Sequence, residues 1–321
     1  MIDEISHEDY GSFLSNLPPE KISVFNQVSW IDLYGDSLKI YGCFEKGNRC
    51  IAVFFVVSEI QSRVSMLKTP PYIPHCGLIH NNSASNAAKK MSNEKKVLAE
   101  IADFLSSRKE KIIFLAFPPE FIDMQPFLWK KFKVTPQYTY QMSLGTSEAD
   151  IEKRMSPERR NDFKRAIKEG ISAERILDMV QVEKLIEKTF GRKKKDYDAS
   201  FIHKILFDFS NEENSAAFLS SKDGVPMAAS FFIHNGDKAY YLLGGYDHEK
   251  GHAAAGALAL STGIKWCREN GIKTFDFEGS MLPKVERYFR GFGPDLTPYY
   301  LVHKASKALE IALKFKKPEL F

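Results

Sequence analysis

Two carboxylates on a short apolar segment are the residues best suited to chemistry in this 321-residue sequence. Asp276 and Glu278 alternate with Phe275 and Phe277, so a strand here would turn the acids to one face and the rings to the other. Acids at the carboxyl end of a strand lie where open α/β sheets place their sites. Because a carboxylate can take a proton from an attacking amine, the pattern favours general-base catalysis by Asp276 or Glu278.

Cationic and small residues follow the two acids closely enough to act with them. We assign five of them to substrate binding: Gly279, Ser280, Lys284, Arg287 and Arg290. Their charges could hold an anionic part of a donor or an acceptor. The alternative is a structural network of ion pairs, for example between Asp276 and Arg287. Tyr288 in this stretch and Tyr246 upstream are candidates to return a proton to the leaving group.

A run of small residues before the acids predicts a site for a negatively charged cofactor. It comprises Gly244, Gly245, Lys250, Gly251, His252, Ala253, Ala254, Ala255 and Gly256. Small side chains let the backbone approach a ligand, and the amides that begin a helix attract an anion. The pyrophosphate of coenzyme A suits such a site, whereas the competing explanation is that the alanines pack a helix against a sheet. Amides near Gly244–Tyr246 would stabilise an oxyanion.

Signals for turns and helices place these residues on regular elements. Asn235-Gly236-Asp237 is a hairpin signal, so Lys238–Tyr246 is predicted as the returning strand. A helix is predicted over Ala254–Glu269 and a strand over Thr274–Glu278. Pro283 can open the next helix at its first turn. The site would therefore lie between two strands and the start of a helix.

The first half of the chain repeats this order of elements with different residues. Its predicted elements are strands over 38–44, 50–59 and 63–68, a helix over 92–107, and strands over 111–116 and 134–144. The repetition indicates two copies of one fold within the α/β (α+β) class. We expect an N-terminal, degenerate domain over residues 1–147 and a C-terminal domain over residues 148–321 that carries the donor site.

The composition is typical of a soluble protein with an anionic ligand. No apolar run approaches the roughly 18 residues that a membrane span needs, and the acidic start of the chain does not resemble a secretory signal. We therefore expect a cytoplasmic protein. The net charge of +4 fits a nucleotide ligand without requiring nucleic acid, and the basic run at 192–195 is interpreted as solvated surface. The cysteines and histidines show no metal-ligand spacing.

Several motifs resemble those of one known superfamily. Phe275–Ser280, followed by Tyr288–Gly293 and Pro298-Tyr299-Tyr300, resembles the closing motif of the Fem-type peptidyltransferases and the related GNAT acetyltransferases. Pro136–Tyr140 and Arg159–Ala166 resemble their end of domain one and start of domain two. The resemblance covers most of the chain. It implies two tandem GNAT-like domains, each a mixed, mostly antiparallel sheet flanked by helices, and transfer of an acyl or aminoacyl group to an amine.

The resemblance also implies the choice of donor. Acetyl-type members use acyl-CoA, and Fem-type members use aminoacyl-tRNA to build cell-wall cross-bridges. We expect acyl-CoA, no metal and a small-molecule or peptide-like amine acceptor. A Fem-type aminoacyl-tRNA-dependent peptidyltransferase and a catalytically degenerate ligand-binding protein are the alternatives. Neither tRNA nor the membrane surface is favoured as a partner, because the sequence shows no inserted helical hairpin and its amphipathic tail at 304–317 fits docking on the sheet.

Overall fold

The computed structural model describes residues 1–190, 197–279, 281–306 and 309–310. These residues form two compact units. The first contains Met1–Gln137 and the described residues from Pro298 onward, and the second contains Tyr138–Thr297. Ser280, the basic run at 192–195 and most of the predicted tail helix lie outside the described residues.

The first unit is a sheet with one long helix and several short ones. Its strands are β1 (Ile2–Glu4), β2 (Leu38–Phe44), β3 (Cys50–Gln61), β4 (Val64–Lys68), β5 (Ile79–His80) and β6 (Ile112–Phe117). Its α-helices are α1 (His7–Ser15), α2 (Val28–Ile31), α3 (Ala87–Ser107) and α4 (Gln125–Trp129). The strand order is β1-β2-β3-β4-β6, with β5 paired to β3. The bounds of β2, β3, β4 and β6 agree with the prediction to within two residues, whereas β1 and β5 were not predicted.

The helix α3 covers the core of the first unit. The side chain of Asn86 caps its start by accepting the N–H of Lys89. Leu98, Ile101 and Leu105 recur at helical spacing and are fully buried against strand residues of the same core cluster. The helix begins five residues earlier than predicted, because its first turns are polar and carry no apolar periodicity.

The second unit is built in the same way from the following elements. Its strands are β7 (Lys133–Ser143), which begins in the first unit, β8 (Ser172–Ile176), β9 (Ser215–Lys222), β10 (Val225–Asn235), β11 (Lys238–Tyr246) and β12 (Thr274–Asp276). Its helices are α5 (Glu148–Arg154), α6 (Pro157–Lys168), α7 (Met179–Phe190), α8 (Ala199–His203), α9 (Ala255–Glu269) and α10 (Pro283–Arg290). A last strand, β13 (Asp295–Ala305), begins here and pairs with β6 in the first unit's portion of the chain.

The sheet of the second unit has the order β7-β12-β11-β10-β9-β8, in which only β11 and β12 are parallel. This confirms the predicted class of mixed, mostly antiparallel sheets flanked by helices. Helix α9 packs closely on the sheet at Gly263, where an added Cβ would lie 2.0 Å from Cε2 of Phe232. Among the described residues, no helix combines the length and apolarity needed to cross a bilayer.

Candidate active site

The hairpin strand β11 contains an irregularity beside the predicted site. Phe231 of β10 pairs with Leu243, but the next residue, Phe232, pairs with Tyr241. Leu242 is therefore an extra residue in β11, which makes a β-bulge. Bulges bend a strand and occur next to active sites, where they re-aim the backbone.

Strands β11 and β12 separate beyond this point. Their parallel pairing covers three positions and ends at Tyr240 and Asp276, whereas β11 continues to its end at Tyr246. The amide of Asp247, just after β11, donates to the Met227 carbonyl on the β10 side at 2.8 Å. Because amides alternate along a strand, the amides of Gly244 and Tyr246 both face the opposite edge. The Tyr246 N–H donates to the Thr189 hydroxyl there at 2.7 Å, so of the predicted oxyanion donors at this edge the Gly244 amide is the one to consider. An oxyanion at this edge could accept a hydrogen bond there.

Asp276 closes β12 and is held by hydrogen bonds. Its carboxylate accepts the Thr139 hydroxyl at 2.5 Å and the Gln141 side-chain amide at 2.8 Å, both from β7. Lys238 Nζ lies 3.2 Å from Oδ2, and the Glu278 backbone N–H donates to Oδ1 at 3.0 Å. Only 2% of Asp276 is exposed. Both oxygens are engaged, so this carboxylate is suited to holding the strand end in place.

Glu278 has the opposite surroundings. Its Oε1 atom is buried and has no hydrogen-bond partner among the described residues. The strand predicted to run through Glu278 ends at Asp276, and that part of the prediction is wrong. Glu278 and Gly279 both have φ of 61°, in the left-handed region. An added Cβ on Gly279 would lie 2.3 Å from the Tyr138 carbonyl oxygen, so only glycine fits there.

The pKa of Glu278 is raised well above the ordinary glutamate value. Burial is the largest cause, the negative charge of Asp276 adds to it, and the positive charge of Lys238 opposes it. A non-glycine residue in the left-handed region costs about 1–3 kcal/mol and is found mainly where a function requires it. A carboxyl with a raised pKa, and with one buried oxygen that no described residue hydrogen-bonds, has the properties of a general base.

The tyrosines that were predicted to act as acids lie near the start of α9 and the end of β11. The pKa of Tyr288 is raised, chiefly by burial, and its ring lies 4.5 Å from the Arg159 guanidinium carbon. An added Cβ on Gly256 would lie 3.6 Å from the Tyr288 hydroxyl, which therefore reaches the first turn of α9. Burial also raises the pKa of Tyr246. Both tyrosines are protonated at neutral pH and can donate a proton.

The loop after β11 is organised around its own carboxylate. Asp247 accepts the backbone N–H groups of Glu249 at 2.9 Å and Lys250 at 3.1 Å, and its Oδ2 lies 2.6 Å from Lys188 Nζ. The hydrogen bond from Lys188 and these two amides lower the pKa of Asp247 to about 2. The Glu249 and Lys250 amides of this loop are therefore occupied by a carboxylate of the protein itself.

The start of α9 is partly capped in a similar way. Nδ1 of His252 accepts the Ala254 N–H at 3.1 Å, and its Nε2 lies 3.1 Å from Oε2 of Glu169. Ala254 and Ala255 are fully buried, and both belong to a small core cluster. The Gly251 and Ala255 N–H groups donate to the carbonyls of Asp247 at 2.7 Å and His252 at 2.9 Å. The expectation of free amides is therefore wrong at Lys250, Gly251, Ala254 and Ala255, and Ala254 and Ala255 do pack in the core.

The cationic residues after β12 are paired away from the two acids. Arg287 lies 3.3 Å from Glu158 and Arg290 lies 2.7 Å from Glu286, all with largely exposed side chains except Glu286. The alternative that paired Asp276 with Arg287 is wrong, because Lys238 occupies that position. The sequence did not indicate Lys238, Thr139 or Gln141, since only the strand register brings them to Asp276.

Comparison with known proteins shows which proteins this chain is similar to. Residues 158–290 match the family model described as an acetyltransferase (GNAT) domain. No curated protein sequence matches the chain. The whole chain superposes on a crystal structure of FemX with a TM-score of 0.64 at 13% identity, covering 98% of this chain and 99% of that one.

Two further solved structures have the same fold. One is L-PGS from Bacillus licheniformis, with a TM-score of 0.58 at 13% identity over 99% of this chain and 98% of that one. The other is a tandem GNAT protein from the clavulanic acid biosynthesis pathway, with a TM-score of 0.56 at 9% identity over 95% and 98%. The chain thus has a Fem-like tandem GNAT fold, and residues 158–290 are the part of it that is similar to the GNAT domain model. Fold and domain support acyl transfer as the class of reaction.

Proposed function

We propose that this protein is an N-acyltransferase in which Glu278 takes a proton from the amine that attacks the acyl donor. One observation carries the proposal: Glu278 Oε1 is buried and has no hydrogen-bond partner among the residues that the structure describes, on a residue with left-handed φ, beside the end of β12. Asp276 is less suited to act as the base, because its oxygens already accept hydrogen bonds from four donors. Asp276 is instead a positioning residue that fixes the backbone of Glu278.

The reaction balances as a direct transfer without an acyl-enzyme. The amine nitrogen bonds to the carbonyl carbon while Glu278 accepts the proton that the amine loses. The carbonyl oxygen becomes negative and accepts the hydrogen bond of the Gly244 amide at the open edge of β11. The bond from carbon to the sulfur or oxygen of the donor then breaks, and Tyr288 or Tyr246 returns a proton to the leaving group.

Acyl-CoA is the donor that we propose first. At Gly256 in the first turn of α9 no atom lies closer than 3.6 Å to an added Cβ, and the atom at that distance is the Tyr288 hydroxyl, so this position is where a ligand could approach the backbone. The remaining predicted binding residues, Gly251 and Ala253, lie in the same loop. Lys284 is exposed and, among described carboxylates, has none within 4.0 Å, so it remains available to an anionic group.

Aminoacyl-tRNA is the second candidate donor, and one observation favours it. Asp247 occupies amides that a diphosphate would use, so a donor that needs no diphosphate there fits the loop as it stands. The likeness to FemX adds fold-level support only. In either case the acceptor that we propose is an amine.

The donor is tested by ligand-induced stabilisation of the purified chain. A ligand at 100 times its Kd raises the free energy of unfolding by about 2.7 kcal/mol. Acetyl-CoA should raise the Tm if acyl-CoA is the donor. A rise with aminoacyl-tRNA that weakens steeply with salt would instead select the second candidate. If neither raises the Tm, the protein is a degenerate member of the class.

The base is tested by substitution. Glu278→Gln should lower the rate of acyl transfer to an amine by about 10²- to 10⁴-fold, which is the usual contribution of a general base. Glu269→Gln, an exposed position on the same unit's α9, is the matched control and should keep the wild-type rate. A Glu278→Gln protein as active as the control would remove Glu278 from the mechanism.

A further inference from the structure

A cavity lies beside the loop that follows β11, within the second unit. Residues of α7, of the start of β10 and of the loop line it, and its volume is about 490 Å³. Ligand sites for small molecules have volumes of about 300–1,000 Å³. The cavity is therefore large enough for a small organic molecule, and the proposed base at Glu278 is not among its lining residues.

One wall of the cavity is apolar. It consists of Leu185 on α7 and of Val225 and Pro226, where β10 begins. Val225 is 39% exposed, which is unusual for a valine in a strand that continues into the core. An apolar part of a ligand placed against Val225 would remove this surface from water, and the wall is thus suited to a ligand with an apolar body.

The charge that faces the cavity is positive. Of the three lysines that line it, Lys188 is neutralised by Asp247 at 2.6 Å. Lys184 and Lys250 have no carboxylate within 4.0 Å among the described residues, and both are exposed. Glu187 also lines the cavity, so two lysines that form no ion pair with a described residue face one glutamate.

The type of cationic side chain that lines the cavity indicates which type of anionic ligand it would bind. None of the described lining residues is an arginine, the side chain whose planar fork matches a carboxylate. Lysine acts as a point charge and is a common phosphate ligand. We propose that this cavity binds a small phosphate monoester, with the phosphate on Lys184 and Lys250 and the apolar body against Val225 and Pro226.

Phenyl phosphate is the probe, because it joins a phosphate monoester to an apolar ring. Isothermal titration calorimetry on the full chain should show binding of phenyl phosphate and weaker binding of inorganic phosphate. Lys184→Gln and Lys250→Gln should each weaken binding about tenfold, since each removes one charge-assisted hydrogen bond. Lys204→Gln, at an exposed lysine that does not line the cavity, should leave the affinity unchanged.

Two results would overturn the proposal. One is the absence of phenyl phosphate binding to the wild-type chain, and the other is an equal affinity in all three variants. Competition then distinguishes two sources of the phosphate: displacement by coenzyme A assigns the cavity to the donor, and no displacement assigns it to a phosphorylated acceptor. The titration needs no turnover, so its failure leaves the proposed acyl transfer untouched, and an inactive enzyme can still bind the probe.

Discussion

Asp276 and Glu278 are only two residues apart but have different roles, because the hydrogen-bond donors of this region are directed to Asp276. Asp276 accepts donors from Thr139 and Gln141, lies beside Lys238 and also binds the backbone of Glu278. Within the described part of the chain, the buried Oε1 of Glu278 has no hydrogen-bond partner, so protonation is favoured over a buried negative charge. A pair of titratable groups whose environments differ in this way is a recurrent arrangement for acid–base chemistry.

Glu278→Gln should stabilise the folded protein in alkaline but not in acidic solution. The pKa of Glu278 is raised in the folded state, so the wild-type protein loses stability as the pH rises from the unfolded value through the folded value. Glutamine carries no such penalty. Urea unfolding at pH 8 should therefore give the variant the higher free energy of unfolding, and at pH 4 the two proteins should agree. If the variant had a lower free energy of unfolding than the wild type at pH 8, this would contradict the conclusion that Glu278 carries a buried, unpaired carboxylate oxygen on a strained residue.

Asp276→Asn should destabilise the protein as well as slow it. In the variant, Lys238 has no negative charge to pair with, and the new NH₂ group faces groups that are themselves hydrogen-bond donors. Because hydrogen bonds to a charged group are lost, the free energy of unfolding should fall by about 2–3 kcal/mol. Urea unfolding at pH 7 measures the loss. An unchanged free energy of unfolding in Asp276→Asn would show that the network around this carboxylate is not structural.

The sequence pointed to the segment that contains Asp276 and Glu278 as the candidate site. It did not show which of the two acids is the better candidate for the base. Alternation with Phe275 and Phe277 correctly predicted that both rings are buried, but it does not extend to Glu278, which lies beyond the end of β12 with left-handed φ. Ranking requires Lys238, which reaches Asp276 only through the parallel register of β11 and β12. Such a register depends on tertiary packing and leaves no local pattern.

The contact between α7 and β11 depends on the absence of a side chain at Gly245. An added Cβ there would lie 2.7 Å from the Ile186 amide nitrogen and from the Leu185 carbonyl carbon, both of them backbone atoms that cannot rotate away. Gly245→Ala should therefore cost about 1–3 kcal/mol, as overpacking does.

Gly256→Ala is the matched control for this substitution. It lies in α9, and the nearest atom to its added Cβ is 3.6 Å away, an ordinary contact. Alanine is also the better helix former by about 1 kcal/mol, so this variant should be as stable as wild type or more so. Thermal unfolding compares the two, and equal Tm values would contradict close packing of α7 on β11.

Elements with strong local signals were predicted well, and the irregular ones were not. The hairpin signal at 235–237 gave β11 its observed bounds, and helical spacing gave α9 to within one residue. The bulge at Leu242 was not predicted, because an extra residue in a strand keeps the same composition. Several short elements were missed, since each is brief and only partly buried: β1, α1, α2, β5, α4, α5 and β8.

The predicted domain boundary lies between residues 147 and 148. It remains a prediction, which can be tested with fragments of the chain. The compact unit in the structure begins at Tyr138. Residues 138–147 supply Tyr140, Met142 and Leu144 to the core cluster of Phe275 and Phe277. A buried side chain of this size is worth about 2–5 kcal/mol, so fragment 138–297 should unfold cooperatively and fragment 148–297 should not. Cooperative unfolding of both, followed by circular dichroism, would favour the boundary at 147/148.

The central claim for the whole molecule is that Glu278 acts as the base in acyl transfer to an amine. Its most direct test is the pH dependence of kcat/KM in the wild type and in Glu278→Gln, with the donor that stabilises the chain. The wild-type rate should fall on the acidic side with a midpoint above the ordinary glutamate pKa, because the pKa of Glu278 is raised. The variant should be slower by about 10²-fold or more and should lack this limb. A variant that keeps both the wild-type rate and the same acidic limb would contradict the account.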